Sequence, residues 1–421
     1  MFTILYFPDP WGIRERRVSH DSPAAIRSLI GLGSGCADGA SFVGNMADFP
    51  QFQYAMRDVR RAGDALRGEV MWTEDSAEEI KEIFRIANNW RDSHMYPMRR
   101  VRYEMIGQIR RLKQPGSTFA RLKRMRSIRK KLRAISANLN QIQDLGGCRA
   151  ILPSIKDVKA LINSCRENLP HEIHTVDDYI NNPKSDGYRS HHIVYKFSGD
   201  DDEVAFKGRR IELQIRTRLQ HSWATAVEAV GTFRGEDLKG GHGDPGWLRL
   251  FELMSSEIAL TEGCPELKNA PARNTRVAEI RELNTSLEAT GTLESISQAF
   301  NYLDTYDDSR DPKYFLIRYD NKNSTVNVDA YDRAIAGSMS FDDSEKNQDI
   351  NSVLVEADKI EELKEGYPNY FGDVQLFKRS LRDITYGKVA KEYELPPQEL
   401  APPKPKVVPD LGWFTRRKRW R

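Results

Sequence analysis

Cysteine is scarce in this sequence, and Cys36, Cys148, Cys165 and Cys264 stand far apart. No C-x-x-C pair occurs and no histidine lies at ligand spacing, which argues against a disulfide framework and a structural zinc site. No run approaches the roughly 18 apolar residues of a membrane span. A secretory signal core is missing too, since Arg14, Arg16 and Arg17 lead into VSHDSP rather than an apolar stretch. These absences set the expectation of a cytoplasmic protein with no membrane partner. The glycine-rich GLGSGCADG from Gly31 lacks the third glycine of G-x-G-x-x-G and follows no strand pattern, so it reads as linker. His20-Asp21 lacks the further His and Asp ligands of a metal-dependent hydrolase, and hydrolysis is rejected.

What the sequence does have is length and cations. Its 421 residues, 39% of them apolar, suit two or three domains with real cores. The net charge of +3 conceals segregation, with cations crowding 99–133 and the C-terminus and acids crowding 200–203 and 341–358. Arg121, Lys123, Arg124, Arg126, Arg129, Lys130, Lys131 and Arg133 fall within one short stretch, followed by Asp144, Gly146, Gly147 and Arg149. A nucleoside triphosphate must be held by cations, backbone donors and Mg²⁺ if one of its phosphates is to be attacked. The stretch therefore reads as a polyphosphate clamp leading into a metal carboxylate. A basic, solvated helix face over RNA or water is the alternative.

Periodicity supplies the framework. Residues 49–113 show apolar positions at helical spacing, including Ile80, Ile83, Phe84, Ala87, Val101, Met105 and Ile109. Ser117 to Lys123 suits a short strand, Ser127 a helix cap, Gly147 to Leu152 a buried strand, and 155–168 a helix. Pro183 and Gly187 force a loop before the strand His191 to Phe197. Along Arg210 to Thr217, Ile211, Leu213 and Ile215 alternate with Glu212, Gln214 and Arg216, so one face is apolar and the other lines a site. A helix over 218–231 packs behind it, and His221, Trp223 and Glu228 are assigned mostly to that packing. After the GGHGDPGW loop comes a helical stretch. A small α/β unit follows, with strands at 313–320, 324–331 and 352–357, the first two joined by an NKN hairpin turn. The tail is proline-rich and ends WFTRRKRWR, a basic end or a single-stranded RNA contact.

Four ordered motifs over about 95–235 resemble the synthetase domain of the RelA/SpoT family. They are R-x-K-x-x-x-S-x-x-x-K at Arg121, Lys123, Ser127 and Lys131; D-x-x-G-x-R at Asp144, Gly147 and Arg149; D-Y-I-x-x-P-K-x-x-G-Y-R-S-x-H from Asp178 to His192; and E-x-Q-I-R-T from Glu212 to Thr217. The resemblance implies an α+β fold: a nucleotidyltransferase-like mixed sheet flanked by helices, with a helical segment and a small C-terminal α/β domain beyond it. It implies an ATP-dependent pyrophosphokinase in which Arg121 and Arg149 flank the adenine and Lys123, Ser127 and Lys131 hold the ATP phosphates. Asp144 and Glu212 would bind Mg²⁺, with Glu212 also taking the proton of the attacking ribose hydroxyl. Tyr188 would stack on the acceptor base, Lys184 and His192 would meet acceptor phosphates, and Gln214 and Arg216 would support the floor.

The acceptor stays open between GDP or GTP, giving (p)ppGpp, and the 3′ CCA end of tRNA. A tRNA enzyme needs a basic track leading from the pocket, which Arg99, Arg100, Arg102, Arg110, Arg111 and Lys113 can supply. YPNYF at 367–371 resembles the Tyr-x-x-Tyr segment of fused toxin-antitoxin members, which implies Tyr367 and Tyr370 as an autoinhibitory plug and a phage protein as trigger. From another class, a non-catalytic RNA-binding regulator would use the same basic surface. The expected organisation is a leader over 1–48, a synthetase domain over 49–235, a helical connector over 236–305, a regulatory domain over 306–385 and a tail over 386–421.

Overall fold

Helical periodicity opens the part of the chain that the computed structural model describes, which is residues 46–68, 76–305, 314–320, 325–331, 350–356 and 370–390. Most of the leader, the basic end of the tail and Tyr367 lie outside the described residues. Helix α1 (Met56–Arg67) buries Val59, Ala62 and Leu66; α2 (Ala77–Asp92) buries Ile80, Ile86, Ala87 and Trp90; α3 (Met95–Arg111) buries Val101, Met105 and Ile109. Each set recurs at three-to-four spacing, so each helix turns one stripe inward.

The sheet is built next, by β1 (Ser117–Leu122), β2 (Gly146–Leu152), β3 (Glu172–Asp178), β4 (His191–Lys196) and β5 (Arg210–Thr217). Between them lie α4 (Met125–Ala134), after β1, and α5 (Ile155–Asn168), after β2. The five strands are ordered β1-β2-β5-β4-β3. β2 pairs with β5 in parallel, and the other pairs are antiparallel. The chain is therefore an α+β protein with a mixed sheet flanked by helices, as the motifs lead one to expect. Ile211, Leu213 and Ile215 of β5 are fully buried with Cys148, Ala150 and Leu152 of β2 and Ile193 and Tyr195 of β4. That leaves the opposite face to the polar residues of the same strands.

Helix α6 (Arg218–Arg234) starts directly from β5 because Thr217 closes a capping box, its hydroxyl accepting from the Gln220 amide while the Gln220 side chain accepts from the Thr217 amide. Gly235, at φ 67°, ends it in the left-handed conformation that glycine adopts without strain. Then come α7 (Pro245–Glu262), capped by Asp244, α8 (Arg273–Ser286) and α9 (Ala289–Thr305). Strands β6 (Tyr314–Asp320), β7 (Thr325–Tyr331) and β8 (Ile350–Glu356) form an antiparallel sheet in the order β7-β6-β8. Asp320 pairs with Thr325, the register that the hairpin pattern requires.

Two local expectations are corrected. Arg124, not Ser127, occupies the N-cap of α4, and no side chain caps that end; Ser127 is exposed in the first turn. Nor do all the cations of the stretch form a clamp. Arg129 donates to the Leu66 carbonyl, and Arg133 donates to the carbonyls of Arg67 and Gly68. Two guanidinium groups thus meet the open carbonyls at the negative end of α1. Their work is to dock α4 on α1, beneath which Ile128 and Leu132 fill the core with Val59 and Leu66.

The last helix among the described residues, α10 (Tyr370–Thr385), shares a core with the helices that follow the sheet. Val374, Phe377, Leu381 and Ile384 are fully buried among Trp223, Val230, Trp247 and Phe251, and the Phe377 ring lies 5.5 Å from that of Phe251. Phe377→Ala is expected to cost about 3–5 kcal/mol of stability, read from urea unfolding followed by tryptophan fluorescence. A variant as stable as the parent would show that α10 is not part of this core.

Candidate active site on the polar face of the sheet

Register decides which side chains share the polar face. Arg121 pairs with Gly147, Gly147 with Glu212, Arg149 with Gln214, and Gln214 with His192. Cross-strand partners project to the same side, so Arg121, Arg149, Glu212, Gln214 and His192 all stand on one surface. Between Arg121 and Glu212 the only residue is Gly147. A Cβ there would approach nothing closer than the Arg121 carbonyl at 3.8 Å, so the glycine is not demanded by packing and keeps the sheet floor low between two functional side chains.

Asp144 lies two residues ahead of β2 and accepts from both lysines of the sequence motif, Lys123 Nζ at 2.8 Å and Lys131 Nζ at 2.9 Å. Burial works to raise the pKa of Asp144, but the two ammonium charges prevail and hold it below the usual carboxylate range. Glu212 is held similarly. His192 Nδ1 lies 3.0 Å from one of its oxygens and Gln214 Nε2 donates to the other at 2.7 Å. Burial and the negative charge of Asp144 raise the pKa of Glu212, while His192 and Gln214 bring it down on balance. The two acids therefore act on one another's charge and both stay ionised. Their side chains keep 18% and 16% of their exposure, so neither is sealed in the interior.

Among the described residues no cluster of three or more His, Cys, Asp or Glu side chains is arranged to hold a metal ion. A pair of ionised carboxylates nonetheless fits Mg²⁺, which takes one or two carboxylates and completes its octahedron with water and substrate phosphates. The donor set suits an ion that arrives with a nucleotide.

The loop between β3 and β4 carries Lys184 and Tyr188. Tyr188 Oη lies 3.0 Å from His192 Nε2, and the rings of Tyr179, Tyr188 and His192 meet edge to face. Lys184 Nζ sits 4.7 Å above Tyr179 and 5.4 Å from the centre of Tyr188. Tyr179, part of the D-Y-I motif, was not singled out from the sequence; its position four residues before Pro183 gave no sign that the loop folds back over it. Gly187, at φ 94°, lets the loop turn against α7, where a Cβ would come within 2.9 Å of Ser255 Cβ. Arg216, on the same alternating face of β5 as Glu212 and Gln214, is buried against α6, is bonded to His221 Nδ1 and acts by its charge on Tyr188. Ser127 stands in the first turn of α4, Tyr367 is outside the described residues, and Tyr370 begins α10. The structure thus brings Lys123, Lys131 and Asp144 together, and Glu212, Gln214, His192 and Tyr188 together.

Residues 120–236 match the family described as a region found in RelA / SpoT proteins. The chain is 28% identical over 167 residues to the GTP pyrophosphokinase of Escherichia coli K12, covering 37% of this chain and 21% of that protein. It is 31% identical over 90 residues to the GTP pyrophosphokinase YwaC of Bacillus subtilis 168, covering 21% of this chain and 42% of the relative. It thus spans about a fifth of the first of these relatives and less than half of the second. Among solved structures, small alarmone synthetase 1 of Bacillus subtilis bound to its product pppGpp matches at 18% identity and a TM-score of 0.37, over 42% of this chain and 92% of that one. A GTP pyrophosphokinase family protein of Streptococcus pneumoniae matches at 20% identity and a TM-score of 0.35, over 48% of this chain and 96% of that one.

Burial lowers and the Glu212 and Tyr188 contacts raise the pKa of His192, which ends at about 9. A folded pKa above the ordinary value near ~6.5 means that protonation of His192 stabilises the fold fully below ~6.5 and that this contribution is lost as pH rises through about 9. In protein free of added divalent ions, the His192 ring nitrogens are expected to titrate near the upper value by NMR and to fall toward ~6.5 in Glu212→Gln. A parent midpoint at or below ~6.5 would rule out the ion pair.

Proposed function

We propose, from the premise that residues 120–236 form a RelA/SpoT-family synthetase domain, that this protein is a pyrophosphokinase moving the β,γ-diphosphate of ATP to a ribose 3′-hydroxyl. The observation that carries the reading is that Asp144, held by Lys123 and Lys131 just ahead of β2, acts by its charge on Glu212 of the sheet while both acids stay ionised.

Each residue has work that its position suits. Arg121 and Arg149 stand on the sheet floor around Gly147 and flank the adenine, and a guanidinium plane stacks well on a flat base. Lys123 and Lys131 hold the phosphates, with Ser127 and the open amides of the first turn of α4 as further donors. Asp144 and Glu212 would hold Mg²⁺, which when bound offsets negative charge on the phosphate oxygens. Glu212 takes the proton from the acceptor hydroxyl. The freed oxygen bonds to the β-phosphorus, the bridge between the α- and β-phosphates breaks, and AMP leaves. Tyr188 stacks on the acceptor base, Lys184 and His192 offer positive charge to its phosphates, and Arg216, buried in the floor, adds its charge from beneath. Gln214 keeps Glu212 oriented.

For the acceptor we favour a guanosine nucleotide, giving (p)ppGpp, in keeping with the GTP pyrophosphokinases that the chain resembles. The track that a tRNA acceptor needs is largely engaged in contacts within the protein. Arg99 lies over Phe49, Arg100 pairs with Glu104, Arg102 donates to the Thr118 carbonyl and Arg111 donates to Asn168. Such an enzyme works in the cytoplasm, where its nucleotides are; among the described residues no helix is long and apolar enough to cross a membrane.

Incubation with γ-labelled ATP and, separately, GDP, GTP and bulk tRNA is expected to label the guanosine nucleotides. Label on tRNA alone would replace the acceptor, and no transfer at all, with salt-sensitive RNA binding, would leave a non-catalytic RNA-binding regulator. Asp144→Asn and Glu212→Gln are each expected to lower transfer at least ~10³-fold with the fold intact by circular dichroism.

We also propose that the YPNYF segment restrains the enzyme, with Tyr367 and Tyr370 entering the adenine site until a partner, such as a phage protein, withdraws them. Support comes from the motif and from α10 packing on α6, the helix that continues β5. The double variant Tyr367→Ala with Tyr370→Ala is expected to be more toxic to an expressing cell. Unchanged toxicity would exclude this route.

A further inference from the structure

The C-terminal helix reaches the site from behind. Asp373, in the first turn of α10, is buried, and its Oδ2 lies 3.0 Å from Nε2 of His221 on α6. Nδ1 of the same imidazole is bonded to Nη2 of Arg216 at the end of β5. A guanidinium has only protons to give, so Nδ1 must accept. The neutral ring then carries its proton on Nε2, which lies 3.0 Å from Asp373 Oδ2 without the alignment of a hydrogen bond, so the carboxylate acts on the ring through its charge. Burial and the charges of Arg216 and Arg149 keep His221 well below its ordinary pKa, which agrees with a neutral ring. All three side chains are buried, in a row that runs from the C-terminal helix to the sheet.

Three arginines of the described residues act on Asp373. Arg216 from β5, Arg218 from α6 and Arg149 from β2 face Asp373, and His221 between them is neutral. The carboxylate is the counter-charge to a cluster of arginines that includes one from each side of the proposed site.

We propose that Asp373 is a positioning residue for the transfer reaction, fixing the orientation of His221 and through it the guanidinium of Arg216, so that acceptor phosphate binding depends on helix α10. This rests on the pyrophosphokinase reading above. The logic is that of a carboxylate orienting a histidine that orients the working group. Because burial lifts the pKa of Asp373 to about 7, against the pull of the arginines, the counter-charge is present above neutrality and is lost as pH falls through that value.

Steady-state transfer in the full chain at pH 6 and pH 8 tests it, with ATP and GDP varied in turn. In the parent, KM for GDP is expected to rise several-fold from pH 8 to pH 6 while KM for ATP stays level. Asp373→Asn retains the shape of the side chain but cannot ionise. It is expected to show a GDP KM raised about tenfold at pH 8 and independent of pH, with unchanged ATP KM. Asp373→Ala is expected to be worse in the same parameter. A GDP KM and pH profile like the parent's in both variants would overturn the proposal. Equal losses in both KM values together with a lowered Tm would overturn it too, by reducing Asp373 to a packing residue. If the parent transfers no label to GDP, the pyrophosphokinase reading has failed separately. The row is then judged on ¹⁵N NMR of His221: an Nε2–H signal that moves in Asp373→Ala upholds it, and an unmoved signal, or the Nδ1–H tautomer in the parent, refutes it.

Discussion

The pairing of β2 with β5 is the constraint from which the rest of the structure follows. These two strands lie side by side in parallel although α5, β3 and β4 intervene between them in the chain. A parallel pair cannot be closed by a tight turn, so its register has to be set by burial. Here Cys148, Ala150 and Leu152 of one strand and Ile211, Leu213 and Ile215 of the other must all go down. Once they do, Gly147 and Arg149 come up beside Glu212 and Gln214. A slip of one residue would drive Glu212 into the core and lift Leu213 to the site, so the packing that stabilises the sheet also fixes its chemistry.

Charge is organised by the same economy. A carboxylate moved out of water is costly unless it is paired, and each of the two acids has partners that answer for it: two lysines for Asp144, a histidine and an amide for Glu212. The site is thus preorganised by interactions that keep its acids ionised. The remaining cations of the basic stretch are sorted by what lies opposite them. Arg129 and Arg133 face the carbonyl end of a helix and become structural, and Lys130 pairs with Asp237.

How much of this was legible follows from whether the signal is local. The alternation of 210–217 shows which residues share a face, and the four motifs carry the resemblance to the family, because strand periodicity and the candidate site side chains are written within a few residues of each other. The role of Arg133 was not legible, since the carbonyls it meets belong to Arg67 and Gly68, and nothing near residue 133 points to them. Ser127 read as a cap because serine accepts readily from helix amides, yet the chain enters the helix three residues earlier at Arg124. Tyr179 was overlooked because its value lies in a fold-back that puts Lys184 above it. His221 looked like a packing residue on a helix, and it is packed; what the sequence hides is that its two nitrogens face an arginine five residues back and an aspartate far ahead.

That last pair bears on how the ends of the chain depend on each other. Helix α6 begins where β5 stops, without a loop, so any displacement of α6 is transmitted to the strand that carries Glu212, Gln214 and Arg216. The apolar side of α6 is covered by α7 and α10 through Trp223, Trp247, Phe251 and Phe377. Removing α10 would uncover that core and take away Asp373 in the same event. Local opening in proteins follows such shared cores, because contacts that are buried together are lost together. The C-terminal helix and the floor of the site are for that reason one cooperative element, and a partner that shifts the helix has a mechanical path to Arg216 through side chains already in contact.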